Sequence, residues 1–212
     1  MASWRPWVIF AATMPLRVIK KLYYTAMSLH DLYLESVTRR FESLKTLAEQ
    51  AMAQLAPTAL LATPAAGSNS IATICRHITG NMLSRFTGFL HTDGEKEGRN
   101  RDEEFMVITE WNAAAEKKRW EEAWKVLLDT LRSLQPGDLE KIVTIRREPH
   151  SAVDAINRQL AHYASHVGQI IYIAKMLAGE NWKTLSIPLQ GSEAFNRNMT
   201  EKFDGDKQQH QK

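Results

Sequence analysis

A chain of 212 residues with 44% hydrophobic content is long enough for one sizeable core and short for two, and its single cysteine, Cys75, excludes an intrachain disulfide framework. The formal net charge of +3 is carried by the first 26 residues, where Arg5, Arg17, Lys20 and Lys21 stand without an acid, so the remainder is near neutral at −1. With no broad basic footprint and no Lys/Arg stripe interleaved with aromatics, nucleic acid is excluded as a partner class, and a lone thiol in an apolar stretch points to a reducing, cytoplasmic setting.

Residues 7–16 are uncharged and mostly apolar but fall short of the roughly 20 residues that a spanning helix needs, so no membrane anchor is expected. Arg17, Lys20 and Lys21 follow this run and no small-x-small cleavage site is present, which argues against a secretory leader. Residues 1–26 read as a basic extension, either a targeting leader or the product of an upstream start, before the domain proper at 27–199.

A first helix is expected over 29–55, with Leu32, Leu34, Val37, Phe41, Leu44, Leu47, Ala48, Met52 and Leu55 mostly at three- and four-residue spacings. Pro57, Pro64 and Gly67 break it. A second helix over 70–90 carries Ile71, Ile74, Ile78, Met82, Phe86 and Phe89 on one stripe, and Cys75 on it reads as a buried structural thiol rather than a nucleophile. Residues 91–110, with Asp93-Gly94-Glu95-Lys96 and Arg99-Asn100-Arg101-Asp102, form a charged surface loop that is long for a helix connection, serving as a lid or as a mobile insert.

The third helix spans 112–134, with Trp120 and Trp124 facing inward as core, and Pro136-Gly137 ends it. The alternation over 142–146 predicts an extended connector or half of a hairpin. The fourth helix, 151–177, keeps three-four spacing from Val153 to Leu177 and is the best specified of all. An extended tail over 182–188 follows, and residues 200–212 read as disordered.

His162 and His166 stand one turn apart at the edge of the last helix's apolar stripe, and His77 sits likewise on the second helix. If those helices pack together, three neutral imidazoles meet at one point, the ligand number at which a catalytic metal keeps an open position. Satisfied, partly buried polar histidines are the competing reading of the same spacing. His30, His91, His150 and His210 fall at element ends or in loops and are expected exposed, with His91 alone near enough in sequence to rival as a ligand.

The segment His77-Ile78-Thr79-Gly80-Asn81-Met82, with Ser84-Arg85 and the charged loop after it, resembles an uncharacterised subfamily of the DinB/YfiT-like metalloenzyme superfamily. The segment Asn157-Arg158-Gln159-Leu160-Ala161-His162-Tyr163-Ala164-Ser165-His166-Val167-Gly168-Gln169-Ile170 is similar to that superfamily's last helix, and residues 182–188 to its tail. The resemblance covers about residues 29–197. It implies an all-α, antiparallel four-helix bundle, a divalent metal ion on His77, His162 and His166, and frequent homodimers. Glu104 before Phe105, and Gly88, read as minor local variations of the pattern.

Asn81 and Gln169 are candidates to hydrogen-bond a ligand imidazole or a metal-bound water, with ordinary polar packing between helices as the competing reading; Arg85 and the charged loop at 93–102 are candidates to bind an anionic substrate, although a salt-bridge web that pins the loop is the commoner arrangement. Imidazoles suit zinc and nickel, with iron and manganese further down the order. The resemblance implies members that use a low-molecular-weight thiol as co-substrate. The expected activity is therefore thiol S-transfer to small electrophiles, with metal-dependent hydrolysis or a non-catalytic metal- or ligand-binding bundle as alternatives.

Overall fold

A computed structural model of the chain describes residues 15–204. Among these the protein is mostly helical, with one small two-stranded sheet. The helices are α1 (Leu16–Ala26), α2 (Leu29–Met52), α3 (Ile71–Phe86), α4 (Ala113–Ser133), α5 (Ala152–Ala178) and α6 (Ser192–Asp204), and the strands are β1 (Ile142–Ile145) and β2 (Glu148–Ser151). The chain divides into two compact units, one holding Tyr33–Leu185 and the other the segments before and after it.

In the smaller unit α1 packs with α6, and the Lys20 ammonium lies 5.3 Å from the centre of the Phe203 ring. The expectation of disorder from residue 200 is thus corrected as far as 204. Phe195, Met199 and Phe203 recur every four residues, a helical stripe that the polar composition around them masks. Residues 205–212, and most of the apolar run 7–16, lie outside the described residues.

In the larger unit α2, α3, α4 and α5 share one hydrophobic cluster. Its centre is α3, which buries Ile71, Ile74, Ile78, Met82 and Phe86, facing Trp124, Leu127 and Leu131 of α4 and Ile156, Tyr163 and Ile170 of α5. Phe41 of α2 meets Phe86 edge-on at 6.4 Å and Tyr163 at 6.0 Å. The Tyr33 hydroxyl donates to the Val153 carbonyl at 3.1 Å, tying α2 to the start of α5.

Local chemistry sets the helix ends. Ser70, Asn112 and Ser151 each accept the backbone N–H three residues on, capping α3, α4 and α5. α2 stops at Met52 rather than 55. α3 stops at Phe86 rather than 90, because Gly88 takes φ 61° and turns the chain while Phe89 stays buried. After α5, Gln54 clamps the tail, donating to the Lys183 carbonyl at 3.0 Å and accepting its N–H at 2.7 Å.

The connector before α5 is a complete hairpin, of which the extended stretch read over 142–146 is one half, so one small sheet stands beside the helices. Ile142 pairs with Ser151 and Ile145 with Glu148, leaving Arg146 and Arg147 as a two-residue turn at φ 55° and 68°. Such a turn ordinarily takes Asn or Gly. Here the Asp93 carboxylate accepts the N–H groups of Arg146 and Arg147 at 2.9 and 2.8 Å, and the Gly94 N–H donates to the Thr144 carbonyl at 2.7 Å. Hydrogen bonds from backbone N–H groups, that of Glu95 first, hold the Asp93 carboxyl far below the usual carboxylate range. The loop after α3 and the hairpin are thereby one structure, whose far end reaches the histidines.

Candidate metal centre

α3 and α5 run side by side, and the edges of their apolar stripes face one another across Tyr163. This brings His77, His162 and His166 together, one ring nitrogen of each lying within 4.8 Å of the others. His162 Nε2 is 3.3 Å from His77 Nε2 and 3.0 Å from His166 Nε2. Neighbouring nitrogens on a tetrahedral ion with bonds of 2.0–2.1 Å stand about 3.3 Å apart. His77 is buried and the other two rings are half-buried.

The opposite nitrogens fix the tautomers. His77 Nδ1 is 2.8 Å from Glu104 Oε2, and a carboxylate only accepts, so the proton sits on Nδ1 and the Nε2 lone pair is free. His166 Nδ1 donates likewise to Gln169 Oε1 at 3.0 Å. Two lone pairs therefore aim at His162 Nε2, which can offer at most one proton. At least one of the two contacts sets lone pair against lone pair until a cation lies between them.

A proton is a poor candidate for that cation. Burial, then the neighbouring His166 and His77, push His162 down to about 4 from its ordinary 6.5, and burial lowers His166 as well. A consequence follows for the metal-free chain. Its unfolded histidines take up protons near pH 6.5 while the folded ones resist, so the stability tied to these two rings is complete above 6.5 and is lost as pH falls toward 4. Discounted for solvent screening of half-exposed rings, the loss is about 1–2 kcal/mol. Urea midpoints of chelator-treated protein should fall across that window, and unchanged midpoints would contradict the assignment.

Glu104, read from the sequence as a local variation, is the most heavily engaged side chain at the site. Its carboxylate takes Arg99 in a two-pronged pair, Nε to Oε1 and Nη2 to Oε2, both at 2.8 Å, and accepts from His77 as well. Burial works to raise its pKa, but the bonds from His77 and Arg99 prevail and hold it below the ordinary value. The loop that carries it is pinned by Arg76, which donates to the carbonyls of Glu104 and Met106. Phe105 lies against His77 with ring centres 4.7 Å apart, and Arg101 lies over Phe105 at 4.8 Å. The charged loop is therefore a wall of the site, not a surface appendage. The signal in the sequence was an acid beside an aromatic inside a charge-dense loop, too weak to point 27 residues back to His77.

The other candidates divide. Gln169 bonds a ligand imidazole, whereas Asn81 is buried and accepts from the Tyr163 hydroxyl at 2.9 Å instead of reaching a histidine. Arg85 is buried, donating to the Gly94 carbonyl and, at 3.0 Å, to Glu95. Its head is thus committed to holding the loop, although its Nε has no partner. His91 is exposed and outside the cluster. The expectation of exposure is corrected for His150 and His30, whose rings are 10% and 12% exposed and bond Asp154 and Asp31. His210 lies outside the described residues.

Cys75 is buried with its Sγ 3.5 Å from Met52 Sδ, and burial pushes its thiol up to about 12. It supplies no thiolate near neutral pH. No helix among the described residues is long and apolar enough to cross a membrane.

A family described as Protein of unknown function (DUF1572) matches residues 28–191, which include all three histidines, Glu104 and Gln169. No curated protein matches the chain.

Proposed function

The chain belongs to the DUF1572 family, and from the way its imidazoles converge we propose that it is a divalent-metal-dependent enzyme with His77, His162 and His166 as ligands. The observation that carries this reading is the approach of His77 Nε2 and His166 Nε2 to His162 Nε2, at 3.3 and 3.0 Å, with two tautomers fixed from behind by Glu104 and Gln169. A carboxylate behind a ligand histidine is the usual means of orienting it and raising its basicity. A divalent ion held there would supply Lewis acidity at its open side, lowering the pKa of a bound thiol or water. Three imidazoles suit zinc, nickel, iron and copper, and of these zinc and nickel are the ions we favour.

The reaction we favour is S-transfer from a low-molecular-weight thiol to a small electrophile. Cys75 cannot act as the nucleophile, so a thiol must enter from outside, and the resemblance to the DinB/YfiT-like metalloenzymes supports that choice. Within the same reading the four helices around the shared core form that superfamily's bundle, and the molecule is a homodimer. The chain's own residues hold the site rigid: Glu104 and Gln169 orient rings, Phe105 covers His77, and Tyr163, its ring centre 5.4 Å from that of His162, forms the floor.

The test is elemental analysis of the full chain purified without chelator, beside the His162→Ala/His166→Ala variant. About one metal per chain is expected, lost in the variant while the helical circular dichroism persists. Absence of metal in the parent chain, even after reloading, would overturn the proposal. With metal present, consumption of a thiol alongside an electrophile separates S-transfer from hydrolysis, which consumes none.

A further inference from the structure

A cavity of about 210 Å³ opens beside the histidines, lined by His77, His162, Asn81 and Gln159 together with Arg85, Arg99, Arg101, Arg146 and Arg158. Five guanidinium groups and no carboxylate line it. The acids behind that wall are already engaged: Glu95 pairs with Arg85, Arg99 and Arg146, and Glu104 with Arg99 and His77. Asp102, 3.9 Å from Arg101, is 97% exposed and neutralises little.

The arginines fall into two sets. Arg85 and Arg99 are buried and spend their donors on the loop. Arg101 and Arg158 are exposed at the mouth, and Arg158 has no ion pair or hydrogen bond among the described residues. Arg146 uses Nε on Glu95 at 2.9 Å and keeps both terminal nitrogens for another acceptor. Two buried polar atoms on the cavity wall lack partners besides: Arg85 Nε, a donor, and Gln159 Oε1, an acceptor on a residue only 3% exposed. Unpaired buried groups of this kind are uncommon and call for a partner.

We propose that this cavity is the anion subsite of the metal centre, and that the substrate carries a carboxylate or phosphate held by Arg101, Arg146 and Arg158 while its reacting end faces the histidines. Planar guanidinium forks suit either anion, and Gln159 Oε1 is placed to accept from an N–H or O–H beside it. Taking the share of liquid volume held by one water, the space fits roughly seven waters, enough for the charged end of a small molecule and too little for a whole cofactor. The sequence offered Arg85 and the charged loop for this task beside a salt-bridge web that pins the loop; in the fold Arg85 belongs to that web, while Arg101 of the loop, Arg146 of the hairpin turn and Arg158 of α5 line the cavity.

The word substrate rests on the metal-centre reading, but anion binding is measurable without metal. Chelator-treated full chain is titrated with succinate and with inorganic phosphate at fixed ionic strength, following the histidine Hε1 resonances by NMR. The parent chain should bind at least one of the two, with His77 and His162 shifting. Loss of two charge-assisted contacts in Arg101→Gln/Arg158→Gln should weaken binding tenfold or more, and Arg146→Gln should weaken it by about tenfold. The exposed pair Lys118→Gln/Lys125→Gln removes the same charge and should leave binding unchanged.

Which anion binds tells a carboxylate substrate from a phosphorylated one. No binding of either, or equal weakening by the arginine and lysine pairs, overturns the subsite. Binding retained in His162→Ala/His166→Ala would keep it standing even if the chain held no metal, whereas a metal-loaded chain that ignores both anions would refute the subsite alone.

Discussion

Replacing Glu104 with alanine is expected to destabilise the metal-free protein by about 3 kcal/mol and to weaken metal retention by about ten- to a hundredfold. Removing one partner of a buried ion pair leaves the other charge uncompensated, which typically costs about 3–5 kcal/mol. The lower end applies because Arg99 retains Glu95 at 3.3 Å. The second effect has a separate cause: without the carboxylate, His77 is free to rotate and to exchange its proton between ring nitrogens, so its Nε2 lone pair is no longer held toward the other two. Glu104→Gln separates the two effects, because an amide oxygen still accepts from His77 but cannot neutralise Arg99. Chemical unfolding and competition with a chromophoric chelator measure them, and a loss below about 0.5 kcal/mol with unaltered affinity would show that Glu104 is not a strut of the site.

Gly80→Ala should change sign with its background. A Cβ at Gly80 would run into Glu104 Oε1 and stand 2.9 Å from its Cδ, closer than real contacts come, so the carboxylate must leave its place between His77 and Arg99. A Glu tip ordinarily yields cheaply, but this one is fastened by three hydrogen bonds. In the parent chain we expect a net loss of about 1–2 kcal/mol together with weaker metal binding, despite the gain of roughly 1 kcal/mol that alanine offers over glycine inside a helix. In a Glu104→Ala background nothing opposes that gain, and the same substitution should stabilise by about 1 kcal/mol. The implied coupling of about 2–3 kcal/mol is large enough for a double-mutant cycle to resolve. Additive effects would mean that Gly80 and Glu104 do not meet.

These two residues also mark where reading the chain in one dimension ends. The helical cores were legible because burial imposes a three-four rhythm: Ile71, Ile74, Ile78 and Met82 on α3, and Ile156, Tyr163, Val167 and Ile170 on α5, are interior as the spacing required. The same rhythm placed His77, His162 and His166 at stripe edges, and the i,i+4 geometry of a helix left the last two little choice but to be neighbours. The hairpin turn was illegible for the opposite reason. Arg146-Arg147 carries no turn chemistry of its own; the left-handed backbone there is held by Asp93, more than fifty residues earlier. Which of its two readings Asn81 follows was equally illegible, because the partner that takes its amide, Tyr163, lies on another helix.

What the sequence determined by itself, then, is local: which stretches are helical, which face of each is apolar, and that three imidazoles stand at the edges of two of those faces. Tertiary structure alone decided the chemistry around them. Only when the loop after α3 folds against the hairpin does Glu104 arrive behind His77 and Arg101, Arg146 and Arg158 gather at one mouth. Irregular backbone has no period to read, and a charged side chain in it finds its partner through electrostatics acting across space rather than along the chain.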